Sequence, residues 1–173
     1  EECGVLYVRL QNEDALAHDA ERRQGWQQAL HSGQDFVDVL QSAGLRLDTQ
    51  HLAPWSRWIT PVQPSVTNKR FDTRFFLAHA PQDQIAAHDN HETTESVWLA
   101  PREALSRYWD GDIELAPPQI MSLCHLNRYT TATSALAAAQ SQKPPTIQPE
   151  PFDQEGMRVI CYPGDERHSI KAR

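Results

Sequence analysis

The sequence predicts an α/β fold, and three observations carry that expectation. Short runs of β-branched, aromatic and aliphatic residues alternate along the chain with longer runs whose apolar residues recur at helical spacing. The stretch 71–79 is the strongest strand in the chain: Phe71, Thr73, Phe75 and Leu77 fall on one face, Asp72, Arg74, Phe76 and Ala78 on the other. Helix punctuation is also clear, with Pro101 at a first helical position and Gly111 just beyond the end. At 173 residues the chain is long enough for one ordinary core.

Taken in order, residues 1–4 read as the last turn of a helix, with Gly4 in the left-handed position past its end. The Val-Leu-Tyr-Val run at 5–8 suits a buried strand. A polar helical insertion then spans about 12–44. Asn12 can cap its first part, which carries Leu16, Ala20, Trp26 and Leu30 among many charges, and Gly25 argues against continuity there. Its second part starts at Ser32 with Asp35 as a capping-box variant. Phe36, Val37, Val39, Leu40 and Ala43 form the apolar face, and Gly44 ends it.

Residues 45–52 read as a connector. Pro54 introduces a strand over 55–60, closed by Pro61 and Pro64. A loop with Lys69 and Arg70 precedes the 71–79 strand. Residues 81–94 form a polar loop with two histidines, His88 and His91, and Val97, Trp98 and Leu99 mark a short strand over 96–100. Helices follow at 101–109, after Pro117-Pro118 with Ile120, Leu123, Cys124 and Leu126 buried, and at 134–142. Residues 143–151 hold four of the twelve prolines and read as a tether. A last strand covers 157–162. The expected organisation is one domain over 1–142 and a proline-rich tether with a terminal strand over 143–173.

The formal net charge of −7 speaks against nucleic acid as a partner. No apolar run reaches the length needed to cross a membrane. Cys3, Cys124 and Cys161 are odd in number and far apart, which reads as free thiols in a reducing, cytoplasmic compartment; we expect a bacterial source.

The chemistry gathers at the first five residues, Glu1-Glu2-Cys3-Gly4-Val5. A glutamate three residues before Glu1 would also lie four before Glu2, so all three would share a helix face. Hard divalent cations take such oxygen clusters. The chain opens on the end of a helix and does not begin with Met, so we expect the start of that helix to lie upstream.

These five residues resemble the tail of the Nudix box. The likeness continues through Pro54-Trp55-Ser56-Arg57-Trp58-Ile59-Thr60-Pro61, Arg70-Phe71-Asp72-Thr73-Arg74-Phe75-Phe76, Val97-Trp98-Leu99 with Pro101 and Ala104-Leu105, Leu115-Ala116-Pro117-Pro118, and Pro163-Gly164-Asp165. In order and extent it is similar to the C-terminal part of a Nudix hydrolase, in the subgroup containing the peroxisomal coenzyme A diphosphatase and its bacterial relatives. The resemblance implies a mixed sheet between helices, an α/β/α sandwich incomplete at its N-terminus, with a helical insertion. An open sheet edge would favour association and allow a homodimer.

It also implies a site. Glu1 and Glu2 would bind Mg2+ or Mn2+ together with a loop carboxylate ahead of Trp98, Glu92 or, nearer, Glu95; our assignment is Glu92, with Glu2 and Glu92 as the catalytic pair. Arg57, Arg70 and Arg74 would meet the phosphates of a small nucleotide-type substrate, although Arg74 shares a strand face with Asp72 and could pair with it instead. Trp55, Trp58 and Trp98 read as core residues. His88-Asp89-Asn90-His91-Glu92 lacks the order of a zinc motif and reads as a solvated loop. The implied activity of the intact protein is metal-dependent cleavage of a diphosphate linkage in coenzyme A, an acyl-coenzyme A or a related nucleoside diphosphate conjugate. The box residues and sheet strands upstream of Glu1 would be needed for it, so this stretch alone is expected to be inactive and poorly stable. The alternative is a non-catalytic nucleotide-binding or regulatory module on the same scaffold.

Overall fold

The computed structural model describes residues 3–10, 20–62, 69–82, 84–90 and 94–171. The chain divides into two units, 1–51 with 78–103, and 52–77 with 104–173.

In the first unit, β1 (Val8–Leu10) pairs antiparallel with β2 (Leu45–Leu47), with Val8 opposite Leu47 and Leu10 opposite Leu45. The expected strand thus begins three residues later than its apolar run, and the expected connector contains a strand. Between them lie α1 (Ala20–His31) and α2 (Phe36–Ser42). Gly25 does not interrupt α1, while the start of the insertion lies outside the described residues. Asp35 is itself the N-cap of α2, not its third residue. Its carboxylate accepts from Val37 N at 2.8 Å and Asp38 N at 3.3 Å. Val39 and Leu40 are buried, while Phe36 and Val37, expected on the apolar face, are exposed. Leu40 and Leu45 form the core of this unit, with Leu6, Val8, Trp26 and Ala43 packed against them.

The second unit is built on a mixed three-stranded sheet. Its centre is β3 (Ala53–Ile59), with β4 (Asp72–Leu77) antiparallel on one side and β5 (Thr146–Ile147) parallel on the other. A bulge between Pro54 and Ser56 resets the alternation, so Ser56 and Trp58 share the buried face and Arg57 takes the other. The stretch expected as a tether supplies β5, and the amide of Arg57 donates to Pro145 O at 2.9 Å. A helix, α5 (Ala132–Ser141), lies on β3 through buried Ala135 and Ala139, whose small side chains allow close approach. Two further helices, α3 (Pro101–Asp110) and α4 (Pro117–Leu126), form where expected, α3 running one residue longer, but Cys124 is exposed and no residue of α4 is fully buried.

A hairpin of β6 (Glu150–Gln154) and β7 (Met157–Cys161) follows, turning through Glu155 and Gly156. Residues 96–100 form no strand. Val97 is 60% and Trp98 77% exposed, so Trp98 is no core residue here, whereas Trp58, at 6%, is.

Candidate active site

The three carboxylates expected to hold the metal, Glu1, Glu2 and Glu92, lie outside the described residues, as does His91. Their chain neighbours are described, and within the first unit they are tied together. Cys3 O accepts from Ala87 N at 3.0 Å. Gly4 has φ +65°, as expected for a residue past a helix end, and an added Cβ would sit 3.5 Å from Ala87 O. The side-chain amide of Gln84 grips the next turn of chain twice: Leu6 N–H donates to its Oε1 at 2.8 Å, and its Nε2 donates to Leu6 O at 2.9 Å. Tyr7 Oη donates to His79 O at 3.1 Å, and burial, with a smaller contribution from Cys3, raises the Tyr7 pKa. The segment following Glu2 is therefore held against the loop that leads to Glu92.

That loop is more than a solvated connection. The Asp89 carboxylate has no exposure at all and lies 3.8 Å from His31 Nε2. His88 Nδ1 lies 3.3 Å from Ser96 Oγ, and Asn90 adopts φ +60°. Among the described residues no group of three or more His, Cys, Asp or Glu side chains is arranged to hold a metal.

Of the three arginines expected at phosphate, the structure gives each a different condition. Arg57 Nε donates to Asp72 Oδ1 at 2.7 Å and its Nη2 to Asp72 Oδ2, a two-pronged pair across β3 and β4. The hydrogen bonds from Arg57 hold the Asp72 carboxyl below the usual range, while partial desolvation opposes them and the charges of Arg57 and Arg74 add to them. Asp72 thus pairs with Arg57, not with Arg74 on its own face. Arg70 Nη2 donates to Thr60 O at 3.2 Å. Arg74 stands directly opposite Arg57 in the register, exposed, and its side chain hydrogen-bonds to no described residue. Glu95, the alternative loop acid, is exposed.

Sequence reasoning missed Gln84, the buried Asp89 and the His31 beside it. Polar residues in polar loops carry no local sign that they clamp a strand-like segment many residues away.

A family model described as the NUDT19 Nudix domain matches residues 1–126. The chain belongs to the Nudix family. Among curated relatives, this Nudix chain is 34% identical over 98 residues to the acyl-coenzyme A diphosphatase NUDT19 of Gallus gallus, an alignment covering 56% of this chain and 26% of that protein. It is 31% identical over 139 residues to the Xenopus laevis protein of the same name, covering 72% of this chain and 37% of that one. A crystal structure of a NUDIX hydrolase from Alicyclobacillus acidocaldarius matches with a TM-score of 0.61 at 26% identity, covering 79% of this chain and 60% of that chain. The chain thus spans well under half the length of these curated relatives. The expected α/β class with a mixed sheet stands. No helix among the described residues is long and apolar enough to cross a membrane.

Proposed function

We propose that the protein to which this Nudix chain belongs is a metal-dependent hydrolase that cleaves the diphosphate linkage of coenzyme A, an acyl-coenzyme A or a related nucleoside diphosphate conjugate. The match over residues 1–126 to a family whose curated relatives are named acyl-coenzyme A diphosphatases carries this reading. Two features of the chain support it: the Glu1-Glu2 pair stands at the box tail, and the backbone beyond it is bonded to the loop ahead of Glu92 through Cys3 and Ala87.

Carboxylates are hard oxygen donors, so Glu1, Glu2 and Glu92 fit Mg2+ or Mn2+ and would hold it. The ion supplies charge neutralisation at the phosphate oxygens and a more acidic bound water. Glu2 or Glu92 accepts a proton from the attacking water. Attack forms one P–O bond and breaks the bridging P–O bond, giving two phosphoryl products. Arg74, whose guanidinium hydrogen-bonds to no described residue, is the first candidate for a substrate phosphate; Arg57 and Arg70 would have to leave Asp72 and the Thr60 carbonyl, or contact phosphate with their remaining N–H groups.

Three free cysteines support a reducing, cytoplasmic setting, and the edge of β4, unpaired among the described residues, supports a homodimer. The test is hydrolysis of coenzyme A and of an acyl-coenzyme A by the full-length protein with Mg2+ or Mn2+, read by product analysis. We expect 4′-phosphopantetheine or its acyl form together with a nucleoside bisphosphate. Intact coenzyme A species and intact dinucleotides would instead favour the non-catalytic module.

A further inference from the structure

In the second unit a cavity of about 180 Å³ opens between the start of β3 and the ends of α4 and α5. None of the residues that line it belongs to the acids or arginines discussed above. Three rings build one side: Trp55 meets His125 and Tyr129 edge to face, each with centroids 6.3 Å apart. Ala139, buried at the base, leaves the space open because its side chain is a single methyl. Arg128 and Lys143 stand exposed at the opening, neither paired with a carboxylate among the described residues, and no acid lines the cavity.

We propose that this cavity binds a planar heteroaromatic ring carrying a phosphate, the chemistry of a purine nucleoside monophosphate. Size limits the occupant: a cavity of about 150 Å³ accepts benzene, so this one takes a single ring system and leaves the sugar and phosphate outside. Aromatic walls favour a flat ring through edge and face contacts. The two cations then meet the phosphate at the mouth. Carbonyls at the ends of α4 and α5 oppose an anion, but a helix terminus is worth only about half a charge and fades within a turn, whereas each side chain supplies a full one. In a chain of net charge −7, two cations with no carboxylate partner among the described residues form a local reversal of sign beside an aromatic cavity.

This does not depend on the hydrolase reading, and it is tested by binding with a chelator present. Adenosine 5′-monophosphate, adenosine and inorganic phosphate are titrated into the full-length protein by calorimetry and by quenching of tryptophan fluorescence. We expect the monophosphate to bind at least tenfold more tightly than adenosine or phosphate. The Arg128→Ala, Lys143→Ala double variant should erase the preference over adenosine. Ala139→Leu, which fills the cavity, should abolish binding while the thermal midpoint shows the protein folded; Ala139→Val serves if the larger variant does not fold. Absence of binding at millimolar nucleotide, or unchanged affinity in the folded, filled variant, overturns the proposal.

Discussion

Ser56 illustrates how much one side chain's surroundings decide. It is 7% exposed on the buried face of β3, and its Oγ has no hydrogen-bond partner among the described residues. A buried hydroxyl without a partner costs about 1–3 kcal/mol of desolvation. Ser56→Ala removes that cost and one small atom, so it should be neutral or stabilising by up to about 1 kcal/mol, read as an unchanged or higher urea midpoint. His168 is the opposite case. It is 1% exposed, yet both ring nitrogens are engaged: Nε2–H donates to Gln148 O at 2.8 Å, and Nδ1 accepts from Ile170 N at 2.9 Å. Those partners fix the neutral tautomer with the proton on Nε2. Nothing in the sequence distinguished these two residues from their exposed neighbours.

The carboxylates around that histidine set a pH dependence. Glu150 accepts from the hydroxyl and amide of Ser169, which lowers its pKa. Asp165 accepts from the Arg167 guanidinium and amide, and its pKa is lowered further. A folded-state pKa below the unfolded value contributes stability that is fully present above the unfolded pKa, about 4 for these groups. It is lost as pH falls through the folded value. The turn 163–171 should therefore lose amide protection at Ser169 between pH 4 and lower pH, before β6–β7 loses its own. Equal protection of Ser169 at pH 5 and pH 2.5 would contradict this.

At the scale of elements, legibility followed locality. The bounds of α3 could be read to within one residue because proline, glycine and apolar spacing act locally, whereas α5 starts two residues before its expected first residue, capped by Thr131. By contrast, β2 is only Leu-Arg-Leu and exists because β1 pairs with it from far along the chain. Residues 5–7 look like a strand, yet part of their backbone bonding is to Gln84, a partner no local pattern reveals. The β6–β7 turn carries a testable strain. Glu155 has φ +51° and Gly156 φ +80°, the two-residue geometry that matches strand twist and prefers Asn-Gly. A non-glycine residue there costs about 1 kcal/mol or somewhat more, and asparagine less. Glu155→Asn should stabilise by about 0.5–1 kcal/mol, seen as a higher thermal midpoint. Gly156→Ala, forced to the same positive φ, should lower it.

At the scale of the whole molecule, the engagement of the arginines was not legible in the sequence. Pairing of Arg57 with Asp72 needs two strands in register, which the sequence does not display. The same holds for the clasp that joins the two ends of the first unit. Gln84 bonds to both polar groups of Leu6 across a separation of 78 residues. If the diphosphatase reading holds, this clasp is a positioning device: it keeps the chain after Glu1 and Glu2 against the loop before Glu92. Gln84→Ala then loosens the metal site without touching substrate. Groups that orient metal ligands are worth about 10–100-fold in metal affinity or activity. The divalent-ion concentration for half-maximal rate should rise about tenfold, while the KM for coenzyme A at saturating Mg2+ stays within about twofold. Gln84→Glu can still accept from Leu6 N–H but no longer donates to Leu6 O, and should fall between. A merely structural role would lower the thermal midpoint of Gln84→Ala and leave the metal dependence unchanged, so the ratio of the two metal titrations separates the cases.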